Sequence, residues 1–285
     1  MPTTPATLET LYDDATGAAV PLPAELAAFY GTLRLPVPPD RPHVSTNFVS
    51  TIDGVVTIGP GVGADKISGG SREDALLMGL LRATADVIVV GAGTLRGFPR
   101  QLWTPEAIYE PGAAAFGALR RAMGKTSPAL TVIVTARGEI DLSLPVFNSP
   151  QAPAMVVTTE GGATELARQG RTVRIVVAGS GLSLSAAEIF SAVNPAASSH
   201  VLLECGPHLL GRFLADRAVD ELFLTQAPQV AGRAADLPRL GLVAEAAFLS
   251  ADPRWSTLVS VKRCASMLFL RYRFGTTAEG TTGAS

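Results

Sequence analysis

Glu204 ends the apolar run Val201-Leu-Leu and is followed at once by Cys205-Gly206-Pro207-His208-Leu209-Leu210-Gly211. A carboxylate at the end of a buried strand needs partners to offset its desolvation. Gly206 lets a ligand approach the backbone, and Pro207 suits the first position of a helix whose N–H groups are open to a phosphate. The spacing joins an acid that grips a polar substrate to a backbone cradle for an anion. The alternative is an acid merely exposed beyond the sheet edge.

A second run, Asp86-Val-Ile-Val-Val-Gly91-Ala-Gly93-Thr94-Leu-Arg96-Gly97, is a strand that meets a glycine turn. Thr94 and Arg96 place a hydroxyl and a guanidinium beside glycines that permit close approach. The spacing is GxGxxxG, so the Rossmann fingerprint is not met, and a tight turn after a buried strand explains it equally well. Thr131-Val-Ile-Val-Thr135-Ala-Arg137-Gly138 repeats the pattern of strand, hydroxyl and base. Asp53, in Ser50-Thr51-Ile52-Asp53-Gly54, either bonds its own turn, the usual habit of Asp before Gly, or faces the site. Ser71 and Asp74 resemble a capping box with Asp in place of Glu, opening a helix at whose far end Arg82 complements the dipole. His43, His200 and His208 have no partner at catalytic or ligand spacing.

The elements that must hold these residues alternate between short β-branched runs and Ala/Leu-rich segments, the pattern of an α/β protein. Strands are predicted at His43 to Thr51, Asp86 to Val90, Leu130 to Thr135, Ala154 to Thr158, Val173 to Ala178 and His200 to Glu204. Several are continuous apolar runs, as in central strands covered on both faces. Helices are predicted at Ala24 to Leu33, Ser71 to Ala83, Pro105 to Met123, Ala163 to Gln169, Ser185 to Val193 and Pro207 to Ala215. After Ala218 the pattern turns strand-like, at Val219 to Gln226, Val243 to Leu249, Thr257 to Arg263 and Met267 to Phe274. Cys264-Ala-Ser266 is a hairpin-length connection between the last two. A mixed sheet follows, parallel in the middle and antiparallel at one end.

The chain has 285 residues, 47% of them hydrophobic, so it can bury a sizeable core. A net charge of -2 with no basic block argues against a nucleic-acid surface and for a small-molecule partner. Cys205 and Cys264 lie at no ligand spacing, so no disulfide framework and no metal site is expected. No apolar segment reaches membrane-spanning length and no signal-peptide pattern opens the chain, which reads as cytoplasmic. The tail after Phe274 has no apolar anchor. No GxSxG elbow, Walker loop or HExxH is present, which removes several hydrolase, NTPase and metalloenzyme readings.

In their order along the chain, four motifs resemble the reductase domain of bacterial riboflavin biosynthesis, in the dihydrofolate-reductase-like superfamily. They are Arg41-Pro-His-Val with Ser50-Thr-Ile-Asp53-Gly54; Leu80-Leu-Arg82-Ala with the Gly91 to Arg96 turn; Leu202-Leu-Glu204-Cys-Gly206-Pro207; and Val219-Asp-Glu-Leu-Phe-Leu-Thr-Gln-Ala-Pro228. The resemblance implies an N-terminal extension over 1–40, a reductase domain over 41–274 and a flexible tail over 275–285. It also implies a homodimer that uses NADPH, without metal, to reduce a phosphoribosylamino-pyrimidine by hydride transfer to the sugar C1. Gly91, Gly93, Thr94 and Arg96 would touch the cofactor, and Gly206, Pro207, Leu209, Leu210 and Gly211 would hold its pyrophosphate. Thr135 and Arg137 would meet the adenosine ribose phosphate. Arg82 and Glu204 would bind substrate, with Asp53 the nearest candidate to assist catalysis.

Two departures stand out. Many relatives carry Lys where this chain has Asn47, and an acidic pair followed by Pro where it has Gly97-Phe98-Pro99-Arg100. The chain reads as a stand-alone reductase. Two alternatives are a non-catalytic dinucleotide-binding relative and a reductase of a different pterin-like, imine or carbonyl substrate.

Overall fold

The computed structural model describes residues 6–59, 63–237, 239–248 and 252–275. In chain order the elements are β1 (Glu9–Asp13), β2 (Ala18–Ala19), α1 (Ala24–Tyr30), β3 (Arg34–Leu35), β4 (His43–Ser50), α2 (Asp65–Ser68) and α3 (Arg72–Thr84). Then come β5 (Val87–Gly91), α4 (Ala92–Gly97), α5 (Pro105–Ile108), a 3-10 turn (Glu110–Gly112), α6 (Ala113–Ala122), β6 (Leu130–Thr135), α7 (Pro145–Asn148) and β7 (Ala154–Thr159). The chain continues through α8 (Glu160–Ala167), β8 (Ile175–Gly179), α9 (Ala186–Val193), β9 (His200–Leu203), α10 (Pro207–Ala215), β10 (Glu221–Gln226), β11 (Ser256–Cys264) and β12 (Met267–Phe274).

One ten-stranded sheet runs in the order β1-β11-β12-β10-β4-β9-β5-β6-β7-β8. From β10 to β8 all neighbours are parallel, and β12, β11 and β1 complete the other end antiparallel. This is the mixed sheet expected from the sequence, parallel in the middle and antiparallel at one end, with its C-terminal hairpin turning at Ala265 and Ser266 between Cys264 and Met267. The apolar run of β5 follows from its two covered faces. Ile88 and Val90 pack with Leu80 and Phe116 on the α3–α6 side, and Val87 and Val89 with Ile189 and Phe213 on the α9–α10 side.

Two expectations are corrected by the fold. The single helix predicted over Pro105 to Met123 is broken between α5 and α6, where Pro111 and Gly112 interrupt the helical path. No strand forms at Val243 to Phe248, and Leu249 lies outside the described residues. There Ala244 donates its N–H to Pro207 O and Glu245 adopts φ +59°, which extended chain excludes. The N-terminal residues pack onto the domain. β1 pairs with β11, and Leu26, Phe29, Tyr30 and Leu33 bury themselves in the α3–α6 layer.

Polar groups thread the same face of the sheet. His43 stacks on His200 with ring centroids 5.0 Å apart. His200 bonds Ser45 Oγ at 2.7 Å and Thr84 Oγ1 at 3.0 Å, and its burial and the nearby His43 hold its pKa well below 6.5. Glu221, beside His43, accepts from Arg271 and Arg273. Burial alone would raise its pKa, but His43 and Arg271 hold it at about 2. Among the described residues no helix is long and apolar enough to cross a membrane, and no cluster of His, Cys, Asp and Glu could hold a metal ion.

Candidate active site

β5 and β9 lie side by side, and the chain leaves them on opposite faces. From β5 it enters α4, whose Leu95 packs in the α3–α6 layer; from β9 it enters α10, whose Leu210 and Phe213 pack in the other. Such a divergence opens a crevice at the carboxyl ends of the strands, where open α/β sheets bind ligands. A methyl group on Gly206 would lie 3.9 Å from Thr94 Oγ1, and one on Gly91 3.7 Å from Leu209 Cδ2. Gly91, Thr94, Gly206 and Leu209 are therefore brought together, and Gly93 faces open space. No side chain caps α4 or α10, and Leu210 N–H is the first in α10 to close, onto Gly206 O. The amides of His208 and Leu209 remain for a ligand. Pro207 takes the first helical position, where a missing N–H costs nothing.

Leu210 and Gly211, expected at the cofactor, serve packing instead. Leu210 is buried in the α9–α10 layer, and a Cβ on Gly211 would stand 2.6 Å from Ala244 O. Only glycine lets the 243–246 segment cross α10 there.

Arg82 and Glu204 meet each other. Arg82 Nε donates to Glu204 Oε1 at 2.6 Å and Nη2 to Oε2 at 2.7 Å, while Nη1 donates to Thr104 O at 3.0 Å. The Arg82 side chain is 0% exposed and that of Glu204 7%. An enclosed fork of this kind braces α3 against the end of β9. The two residues expected at the substrate are thus brought together, and each nitrogen of Arg82 has a partner within the fold.

At the end of β6, Thr135 Oγ1 accepts from Gly138 N–H at 3.1 Å, which closes the turn below Arg137. Arg137 Nε lies 3.5 Å from the Glu139 carboxylate, and Arg96 donates to Glu139 O at 3.0 Å. Both guanidinium groups thus reach one short loop at the mouth of an open cleft of about 680 Å³ lined by Leu95, Arg96, Gly138 and Gln169. Gly138 is fixed by its φ of +71° and by Gly162 O, which would stand 2.3 Å from a Cβ. Thr135 is buried and works on the turn; Arg137 is open to a ligand.

Asp53 is a turn residue. It accepts from Thr51 Oγ1 at 2.6 Å, Ala231 N–H at 3.1 Å and Gly232 N–H at 2.8 Å, and so ties the end of β4 to the 231–232 loop. The Thr51 hydroxyl first, and then the Ala231 N–H, bring its pKa to about 2. A carboxylate of that acidity is no proton donor near neutrality.

The acid that sequence reasoning passed over is Asp74. Ser71 Oγ does accept from Asp74 N–H at 3.1 Å, as the capping pattern suggests. The return bond is not made: Ser71 Oγ donates to Glu73, and the Asp74 side chain turns inward, leaving the residue 6% exposed. Burial raises its pKa to about 6, and the Thr225 hydroxyl opposes the rise without completing a hydrogen bond, since Oγ1 has no partner in proper geometry. Asn47 Oδ1 is likewise buried and unpartnered.

A parallel sheet with two helix starts meeting over its carboxyl edge forms the kind of crevice in which open α/β domains bind ligands. The RibD C-terminal domain matches over residues 42–264, and the chain belongs to that family. A pyrimidine reductase-like protein from Corynebacterium diphtheriae is similar in structure, with a TM-score of 0.60 and 22% identity over 83% of this chain and 93% of that one. Acinetobacter baumannii RibD aligns with a TM-score of 0.56 and 18% identity, covering 83% of this chain and 59% of its own. A deaminase/5-amino-6-(5-phosphoribosylamino)uracil reductase from Thermotoga maritima aligns at 0.55 and 19%, covering 82% and 57%. The chain thus spans somewhat over half of these two proteins. No curated protein matches. The fold is that of riboflavin-biosynthesis pyrimidine reductases, and the family is one of oxidoreductases.

Proposed function

We propose that this protein is an NADPH-dependent reductase of an aminopyrimidine substrate, acting by hydride transfer as in reduction of a phosphoribosylamino-pyrimidine at its sugar C1. The observation that carries the reading is the meeting of Gly91, Thr94, Gly206 and Leu209 between two uncapped helix starts. Space above these glycines and the open α10 amides suit a pyrophosphate. In this reading Arg96 would touch the cofactor and Arg137, whose guanidinium is open beside Glu139, would meet its adenosine ribose phosphate. Bound there, the dinucleotide would supply a hydride.

The chain's own residues position and enclose. The Arg82–Glu204 fork holds the end of β9 rigid below the crevice, so that the Gly206 turn keeps its place. Asp53 anchors the 231–232 loop. The reading extends to a homodimer, which sedimentation at a one-chain mass would contradict.

The test is titration of the purified protein with NADPH and NADH, followed by dinucleotide fluorescence. NADPH should bind at micromolar concentration; failure of both to bind at high micromolar concentration overturns the reading. If NADPH binds but neither pyrimidine, pterin nor dihydrofolate speeds its oxidation, the protein is a non-catalytic dinucleotide binder.

A further inference from the structure

Gln169 stands just past α8, outside every motif described above, yet both ends of its amide are in use. Its Oε1 accepts from Leu142 N–H at 2.9 Å, and its Nε2 donates to Ile140 O at 2.8 Å. A side-chain amide suits this task because it carries an acceptor and a donor side by side. It gives the 138–144 loop the backbone partners that a neighbouring strand would otherwise supply. Other side chains fasten the same loop: Arg96 donates to Glu139 O at 3.0 Å, and Asn148 Nδ2 donates to Leu144 O at 2.9 Å. Ile140 and Leu142 turn into the core. The backbone of Glu139 is therefore held at its own oxygen by Arg96 and one residue on by Gln169.

The carboxylate carried on that backbone lies 3.5 Å from Arg137 Nε, and both side chains are exposed. Two free side chains lose entropy when they pair, so an open ion pair orients its cation only where one partner is already fixed. Arg96, Glu139 and Gln169 line one wall of the same open cleft of about 680 Å³. Contacts thus run unbroken from Gln169 through the 139–142 backbone to the Arg137 guanidinium.

We propose that Gln169 is a positioning residue: by fixing the 139–142 backbone it sets Glu139 and, through it, Arg137, and so governs the choice between a dinucleotide with a phosphate on its adenosine ribose and one with a hydroxyl there. The inference rests on the dinucleotide reading above and adds to it a residue that acts through Arg137. A guanidinium favours the phosphate by charge and by paired donors, provided it is held where the phosphate arrives. A carboxylate left free to swing favours the other choice, since it accepts from a ribose hydroxyl and repels a phosphate. Holding Glu139 against Arg137 serves both sides of the discrimination.

The experiment titrates the full chain with NADPH and with NADH, followed by dinucleotide fluorescence, for the wild type, Gln169→Met, Arg137→Ala and the double variant. Methionine keeps the length of the side chain and removes both hydrogen bonds, and because Gln169 is exposed the melting temperature should change by only a few degrees. The readout is the ratio of the two dissociation constants, because a general loosening of the fold weakens both dinucleotides alike. The wild type should prefer NADPH by about tenfold or more. Gln169→Met should lose about fivefold of that preference, and should lose nothing further once Arg137 is alanine. Without ligand, amide hydrogen exchange at Leu142 should be faster in Gln169→Met. An unchanged preference in Gln169→Met, an additive loss in the double variant, or a wild type indifferent to the phosphate overturns the inference alone. Binding of neither dinucleotide by the wild type overturns the proposed function and this inference with it.

Discussion

Arg82 and Glu204, one on α3 and the other just past β9, share two parallel hydrogen bonds of 2.6 and 2.7 Å in an interior that solvent scarcely reaches. Removing one partner leaves the other charge buried and alone, which costs more than the pair contributes. Glu204→Gln should therefore lose about 3 kcal/mol of unfolding free energy, measured by urea denaturation. Replacing both partners with apolar residues, as in Arg82→Met with Glu204→Leu, should recover much of that loss. A Glu204→Gln variant as stable as the wild type would show that the fork is not closed in solution.

Gly206 tests the crevice without touching the core. A methyl group there meets nothing nearer than Thr94 Oγ1 at 3.9 Å, so the fold has room for a side chain. Gly206→Val should keep its melting temperature within a few degrees and lose about tenfold or more in NADPH affinity, read by fluorescence titration. Unchanged affinity would move the dinucleotide elsewhere.

Asp74 carries a stability cost that can be read independently of any ligand. Its folded pKa of about 6 lies above the unfolded value of 3.8, so the folded state holds its proton more tightly. The penalty is absent below pH 3.8 and fully present above pH 6. By linkage it reaches at most about 3 kcal/mol. Asp74→Asn should raise stability by about 1–3 kcal/mol at pH 7.5, and the gain should shrink toward pH 4. A destabilised variant at pH 7.5 would mean that the carboxylate is fully compensated within the fold.

His200 titrates in the opposite sense. Its folded pKa is held well below 6.5, first by burial and then by His43 and Lys125, while Thr84 and Glu221 pull the other way. As pH falls through 6.5 the unfolded chain takes up this proton and the folded chain does not, so stability declines on acidification. Urea denaturation between pH 7 and 5, in the Asp74→Asn background to remove the opposing titration, should show a shallower slope once His200→Gln is added. Identical slopes would contradict the prediction.

The sequence made some of this legible and hid the rest for physical reasons. The central strands declared themselves because β5 and its neighbours are covered on both faces and read as unbroken Val and Ile. Ser71 announced the start of α3 through local capping. What stayed hidden depended on distance: nothing local to Arg82 or Glu204 shows that residues 122 apart pair with each other. Asp74 was visible as a capping acid, but the inward turn of its side chain depends on β10, far along the chain. The apolar run at Val243 resembled a strand until its packing across Gly211 required a left-handed residue at Glu245.

The pairing of β1 with β11 sets the order in which this chain can finish folding. Thr10 and Lys262, which bond at 2.8 Å, are 252 residues apart in sequence. On a ribosome the first strand of the sheet waits for nearly the last one made, with its hydrogen-bonding edge unsatisfied throughout. Closing so long a loop comes late, after the entropy of the intervening chain has been reduced by the parallel core. The N-terminal strand is then a closing seam, and its detachment is the first opening expected when the protein is strained.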